Sequence, residues 1–206
     1  MISWKDTKLP LEMVNILEKD IKKFDESQKL SDVSQFKIEN FNNKIRNSKH
    51  TFVSSDYWFG GWLWYYIQKI NKVYFLYDLY DLDNSTIQYT RYDVGDFYDW
   101  HKDADVDTCF KPNIVPSSGV NLANDQVLIK GECVRKLSFS LQLSDENDYT
   151  GGELVFRNSD YSDTLTAPKD RGTLIIFDSR LEHKVCPVKT GIRKSIVGWI
   201  VGPRWR

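Results

Sequence analysis

At 206 residues the chain fits one domain and is long enough to bury about 70% of its unfolded surface, so it needs no covalent staples to hold a core. Twenty-eight basic and 29 acidic side chains leave a formal net charge of −1, which argues against a polyanion partner recruited by bulk charge. Three cysteines, Cys109, Cys133 and Cys186, cannot all pair within the chain and show no CxxC spacing, which suits a reducing compartment.

In chain order, Met1 to Lys8 lacks the apolar core of a leader, and the most apolar run, Phe59 to Ile67, is far shorter than the roughly 20 residues of a membrane helix. A cytoplasmic protein without membrane contact is expected. The first 72 residues read as helical. Leu11, Val14, Leu17, Ile21 and Phe24 recur at near-helical intervals after Pro10. Phe59, Leu63, Tyr66, Ile67 and Ile70 make a second such face within Asp56 to Lys72, and packing on a sheet is the expected use of both. His50, in a polar Ser48 to Thr51 context, reads as a surface or hydrogen-bonded structural residue.

From Tyr74 the apolar runs shorten and turn signals multiply, the cadence of an all-β barrel or sandwich. The expected strands are Tyr74 to Tyr80, Thr86 to Tyr92, Gln126 to Lys130, Leu137 to Leu143, Glu153 to Arg157, Gly172 to Phe177, Lys184 to Val188 and Arg193 to Val201. Nothing resembling a linker, repeat or low-complexity tract marks a second domain, so residues 1–206 are read as one, with helical support over 1–72 and a β core over 73–206.

Chemistry concentrates in two short stretches. Tyr98-Asp99-Trp100-His101-Lys102-Asp103 places a histidine and a carboxylate two apart, on one face if a strand runs through them. His183 follows in Phe177 to Val185, and Arg193 ten positions later in Gly191-Ile192-Arg193-Lys194-Ser195. Two imidazoles and one carboxylate on one side of Fe(II) leave three positions open, as dioxygen chemistry requires. Asp105 offers a second carboxylate, but the i,i+2 relation favours Asp103. Zinc or a cupin-like site could use similar ligands. Arg193 breaks that tie: a 2-oxo diacid that chelates metal through its oxo-acid end needs a cation for its other carboxylate, and a guanidinium binds one bidentately. Ser195, two residues on, can add a hydroxyl on the same strand face.

These residues resemble those of the 2-oxoglutarate- and Fe(II)-dependent dioxygenases, in particular the prolyl 4-hydroxylase-like, PKHD-type hydroxylases of bacteria and phages. The similar stretches are Tyr89 to Asp103, Arg135 to Leu143, Tyr149 to Leu154, and His183 to Trp199, in order and spanning roughly half the chain. The resemblance implies a mainly β fold, a double-stranded β-helix or cupin-like jelly roll supported by N-terminal α-helices. It implies Fe(II) on His101, Asp103 and His183, and 2-oxoglutarate on Arg193 and Ser195 with Tyr92 and Gln142 beside them. Gln142 stands near where eukaryotic-type prolyl hydroxylases usually carry a tyrosine that touches the co-substrate. It further implies oxidative decarboxylation of 2-oxoglutarate coupled to C–H hydroxylation with O2, releasing succinate and CO2, with ascorbate as a possible stimulant.

A prolyl residue in a peptide or protein is the expected substrate, with a free amino acid, small metabolite or alkylated base as the alternative. A non-catalytic metal-binding barrel ranks last. Balanced charge and the lack of an aromatic-basic groove argue against nucleic acid. Tyr98, Ser138, Ser140 and Trp199 are expected to line the same pocket, and Gly151-Gly152 to make a turn. Asp105 to Gly131, rich in Pro, Ser and Gly, is expected to be a substrate-selecting lid.

Overall fold

The computed structural model describes residues 4–28, 39–42, 45–55, 57–83, 86–105, 133–157 and 164–205. Its elements are β1 (Trp4–Lys8), α1 (Leu11–Gln28), β2 (Glu39–Asn42), β3 (Arg46–Val53), α2 (Trp58–Ile70), a π-helical turn (Asn71–Phe75), β4 (Asp81–Leu82), β5 (Ile87–Tyr92), β6 (Phe97–His101), β7 (Cys133–Gln142), β8 (Tyr149–Gly151), β9 (Leu154–Arg157), β10 (Thr164–Thr166), β11 (Thr173–Asp178), β12 (Glu182–Val185), β13 (Val188–Gly191) and β14 (Arg193–Pro203).

The main sheet runs β1-β11-β7-β14-β5-β3-β6-β12-β9-β10, with β2 added on β3 and β4 on β14, while β13 and β8 form a separate pair. Every pairing is antiparallel. This ribbon folds over on itself. Phe156 on β9 and Phe177 on β11 lie near opposite ends of the strand order, yet their rings meet edge to face at 5.0 Å. The result is the curled, mainly β architecture expected of a double-stranded β-helix.

Strand alternation divides the interior in two. On β7, β11, β14 and β5, Leu137, Phe139, Leu141, Leu174, Ile176, Ile196, Ile200, Ile87 and Tyr89 point to one side and pack with Val14, Leu17 and Ile21 of α1 and Phe59, Leu63, Ile67 and Ile70 of α2. Both amphipathic helices therefore do what their periodicity predicts. Residues of opposite parity, including Ile175, Phe177 and Tyr92, face inward and join Phe156, Leu154, Val185 and Val188 in a second cluster between the two halves. Polar members of that inner face, Ser138, Ser140, Gln142 and Ser195, are nearly inaccessible.

Several expectations need correction. Residues 1–72 are not helical throughout, since β1, β2 and β3 lie within them and join the main sheet. The β3 sequence, Arg46 to Val53, hides its strand because the face with Arg46 and Phe52, which line the cavity, also carries Ser48 and His50 and so shows no apolar period. His50 is buried rather than superficial, edge-on to Phe52, and burial with the nearby Arg46 holds its pKa down at about 4. Tyr74 to Tyr80 is not a strand. The helical path of α2 continues as a π turn to Phe75, and Leu76 then turns left-handed at φ 56°. Lys184 to Val188 splits into β12 and β13, and β4, β6, β8 and β10 add strands that the expected set lacked; β6 ends at His101, so the strand invoked for the His101 and Asp103 spacing does not run through Asp103. The Gln126 to Lys130 strand and all of the expected lid except Asp105 lie outside the described residues. Gly151 and Gly152 adopt φ of 73° and 66°, as a tight turn demands.

Candidate functional site

The cavity between the two halves has a volume of about 440 Å³, and His101, Asp103, His183 and Arg193 all line it, with Tyr92, Tyr98, Ser140 and Trp199. His101 and His183 come together because β6 and β12 are neighbours: the two residues face each other in register, with ring centroids 4.2 Å apart. Asp103 joins them from just beyond the end of β6. The carboxylate sits between the imidazoles, Oδ1 3.7 Å from Nε2 of His101 and Oδ2 3.6 Å from Nε2 of His183. One ligand atom from each of the three residues falls within 4.8 Å of the others.

Hydrogen bonding fixes which imidazole nitrogen is available. His101 Nδ1 lies 2.7 Å from the Asp99 carbonyl and His183 Nδ1 2.9 Å from the Leu181 carbonyl. A carbonyl can only accept, so each Nδ1 carries the proton and each Nε2 presents a lone pair to the space beside Asp103. Orientation of metal-binding histidines through the second nitrogen has this form. Burial, and then the neighbouring His183, holds the His101 pKa down at about 4, which keeps the ring a neutral donor. Burial pushes the Asp103 carboxyl upward, but the His183 and His101 imidazoles beside it outweigh that and leave it below the usual carboxylate range. Face-to-face stacking of Tyr98 on His101, with centroids 3.5 Å apart at 12°, holds the imidazole plane. The Arg46 guanidinium lies 4.8 Å from the Tyr98 ring.

Arg193 occupies the start of β14 and is only 2% exposed. Its Nη1 donates to Ser195 Oγ at 3.1 Å, and its guanidinium carbon lies 5.3 Å from the Tyr92 ring. Tyr149, unremarked in the sequence, also reaches it, and the cation pulls the phenol pKa down against the larger upward push of burial. Gly152, at φ 66°, suits this position: an L side chain would be strained there, and its Cβ would crowd Arg193 Cδ at 3.1 Å. Among the described residues no carboxylate pairs with Arg193. A buried guanidinium served only by hydroxyls and a ring is incompletely compensated, and its surroundings fit an anionic group entering the cavity. Gln142 is placed beside Ser195 on β7 and bonds its neighbour, Nε2 to Ser140 Oγ at 3.1 Å; it does not line the cavity, and neither do Ser138, expected there, or Ser195, which reaches the site through Arg193.

Sequence reasoning also missed the wall opposite. Arg135 donates to the buried Asp83 carboxylate at 3.3 Å and lies 3.9 Å above the Trp199 ring. Arg46 and Arg135 both line the cavity, yet nothing in their local sequence sets them apart from surface arginines.

Known proteins with similar sequences cover the same region. A PKHD-type hydroxylase of Synechococcus sp. (strain CC9902) is 36% identical over 115 residues, 56% of this chain and 40% of that protein. One from Janthinobacterium sp. (strain Marseille) is 30% identical over 112 residues, 54% of this chain and 41% of that protein. The match thus spans about two-fifths of these curated relatives' own length. Among solved structures, a Pseudomonas putida prolyl-4-hydroxylase superposes with a TM-score of 0.65 at 20% identity, covering 100% of this chain and 95% of that one. A Trichoplax adhaerens prolyl hydroxylase in complex with a hypoxia inducible factor peptide fragment gives 0.65 at 15% identity, over 97% and 83%. Likeness at that identity concerns the fold, and it is the double-stranded β-helix. The sequence profile of the 2OG-Fe(II) oxygenase superfamily matches residues 87–201, more than half of the chain and a stretch that includes His101, Asp103, His183 and Arg193. The chain therefore belongs to the 2OG-Fe(II) oxygenase superfamily, whose chemistry employs Fe(II), 2-oxoglutarate and O2.

Proposed function

We propose that this protein hydroxylates a C–H bond of a prolyl residue in a peptide or protein, with 2-oxoglutarate converted to succinate and CO2. His101, Asp103 and His183 hold Fe(II), and Arg193 with Ser195 holds the distal carboxylate of 2-oxoglutarate. The observation that carries this reading is Arg193: a buried cation without a carboxylate partner among the described residues, lining one cavity with a His-Asp-His cluster. A metal-chelating diacid satisfies both ends of that cavity at once.

When bound, Fe(II) with 2-oxoglutarate supplies the oxidising power, and the protein binds, orients and excludes water. The two Nδ1 hydrogen bonds aim the imidazoles. Ser195 Oγ accepts from Arg193, so its own proton is available to a carboxylate oxygen. Tyr92 gives the guanidinium an aromatic wall. Tyr98 and Trp199 give the same cavity aromatic lining, suited to a pyrrolidine, and Arg135 and Arg46 line it with guanidinium groups suited to peptide carbonyls. The relatives' names and the solved prolyl hydroxylases support the prolyl choice.

The same two arginines also favour a second reading, a free amino acid or small acid whose carboxylate they would bind. One experiment separates these: anaerobically reconstituted protein is given 2-oxoglutarate, O2 and either a proline-peptide panel or free amino acids, with succinate and a mass gain of about 16 Da as readouts. A peptide gaining oxygen at proline supports the proposal. Product only from free amino acids overturns the peptide reading, and no succinate with any substrate, at confirmed iron occupancy, overturns the enzyme reading.

A further inference from the structure

Two members of the His-Asp-His cluster depend on one turn. Asp178 ends β11, Glu182 opens β12, and the link between them, Ser179-Arg180-Leu181, is closed by the Leu181 N–H donating to Asp178 O at 2.9 Å. Ser179 O accepts backbone N–H groups from Asp103 at 2.9 Å and Ala104 at 3.0 Å, and so fixes the chain just past the end of β6. Leu181 O takes the Nδ1 proton of His183 at 2.9 Å, which leaves Nε2 on the side of Asp103. Any shift of this turn moves the carboxylate and swings the imidazole together.

What holds the turn does not line the cavity. The fully buried Asp178 carboxylate accepts from Arg180 N and Nε, each at 2.9 Å, and from Arg180 Nη2 at 2.7 Å, which folds the arginine back over the turn. Tyr77 Oη donates to the same carboxylate at 2.6 Å. Tyr77 is itself pinned through its backbone by the amide of Asn71, which donates to Tyr77 O at 2.9 Å and accepts from Tyr77 N at 3.0 Å. Trp205 closes the assembly: the Arg180 guanidinium lies 3.7 Å and Lys136 Nζ 3.5 Å from its ring centroid, and the Tyr77 ring meets it edge to face at 5.0 Å. The Lys136 carbonyl accepts the Ser179 N–H at 3.2 Å. Tyr77, Asp178, Arg180 and Trp205 are all absent from the cavity lining. We infer that Asp178, braced by Arg180, Tyr77 and Trp205, is a positioning residue for the metal site, because it fixes the turn whose two carbonyls set Asp103 and His183. Charge-assisted bonds of this kind are short and directional, so they can hold a turn to the tolerance a ligand set needs. The role rests on the proposed metal site, and these residues act on it only through the turn.

Calorimetric titration of the purified chain with Mn(II), at a temperature where every variant is folded, tests this without turnover, and melting temperatures are recorded alongside. Asp178→Asn is expected to weaken Mn(II) about tenfold, the lower range for loss of a group that orients ligands. Tyr77→Phe removes one donor to the carboxylate and should cost about threefold, part of the worth of one hydrogen bond. Added to Asp178→Asn it should cost less than it does alone, since Tyr77 acts through that carboxylate. Ile21→Val trims α1, an element the brace does not use, and supplies the stability control: it should lower the melting temperature yet bind Mn(II) like the parent. An Asp178→Asn variant that melts lower but binds Mn(II) as the parent does overturns the positioning role, as does an Ile21→Val variant that loses as much affinity. Where Asp178→Asn does not fold, parent-like Mn(II) affinity of Tyr77→Phe overturns it instead. Failure of the metal site has a separate signature: His101→Ala would then bind Mn(II) as tightly as the parent.

Discussion

The two ends of the cavity are built on opposite principles. Arg193 and Ser195 stand on β14, an 11-residue strand flanked by β5 and β7, so their directions follow from strand parity and from ladders on both sides. Asp103 stands outside any strand, its backbone N–H held by the carbonyl of Ser179, which is itself bonded to Lys136 and Ser138. A side chain inside a ladder is placed by many small pairings that share any insult. One beyond it is placed by a few groups that are individually indispensable. The anion end should therefore be robust in geometry and sensitive only to its own chemistry, while the metal end should be sensitive to distant changes.

The largest expected effect strikes the metal end directly. His101→Ala should lower metal affinity and turnover by more than about a hundredfold, beyond the usual range for groups that merely orient ligands. His183→Ala should match that loss and also lower the melting temperature. His183 is 5% exposed and packs 4.7 Å from Phe177, so truncation leaves a void where His101, stacked on partly exposed Tyr98, leaves less of one. Turnover comparable to the parent from iron-loaded His101→Ala would break the assignment.

At the anion end, Arg193→Lys should weaken 2-oxoglutarate by about tenfold or more, roughly 1.4 kcal/mol, because an ammonium cannot offer the guanidinium's paired donors. Arg193→Met should abolish binding yet leave the unliganded protein no less stable, since it removes a buried cation that has no carboxylate partner among the described residues. Calorimetry with the co-substrate at 100 times the parent's Kd reads both: about 2.7 kcal/mol of stabilisation for the parent and none for the Met variant. Stabilisation equal to the parent's in Arg193→Met would place the diacid elsewhere.

A third test concerns the support behind Asp103. Asp178 precedes Ser179, is fully buried, accepts from Tyr77 Oη at 2.6 Å, and takes two bonds from Arg180 at 2.9 and 2.7 Å. Burial raises its pKa, but Arg180 and Tyr77 outweigh that and hold it below the ordinary value. A carboxyl with a depressed folded-state pKa contributes stability above its unfolded pKa of about 3.9, and that contribution is lost as pH falls through the folded value. Asp178→Asn should therefore cost about 1.5 kcal/mol at pH 7, with the gap to the parent closing below roughly pH 4. A gap that stays constant with pH would show that charge is not what Asp178 contributes.

The contrast between the two ends also explains what the sequence disclosed. Ser138, Ser140 and Gln142 alternate with Leu137, Phe139 and Leu141, and Arg193 and Ser195 share a parity, so the inner polar face was readable wherever a strand has an apolar back. His101 and His183 were readable by type and spacing. Contacts made across the fold left no local mark: Ser179 beneath Asp103, Tyr149 against Arg193, and Arg135 over Trp199 each join residues distant in sequence or on unrelated elements. Strand β3 was hidden because its inward residues are mostly polar, and Tyr74 to Tyr80 misled because aromatic, β-favouring residues there follow closely on α2.

The smallest effect belongs to Gln142, and it sharpens the comparison because it adjoins Ser195 on the neighbouring strand. The resemblance points to it as a co-substrate contact, yet its amide nitrogen is committed to Ser140 and it does not line the cavity. If ladder geometry alone fixes the anion end, Gln142→Ala should change 2-oxoglutarate affinity by no more than about fivefold, the net worth of roughly one hydrogen bond. Arg193→Lys, changed at a residue that lines the cavity, should exceed that. Tyr149→Phe provides the control, because Tyr149 and not Gln142 reaches the guanidinium. A titration in which Gln142→Ala costs more than Arg193→Lys would show that the amide swings into the cavity when the diacid enters. The closed end would then be no more rigid than the loop that carries Asp103.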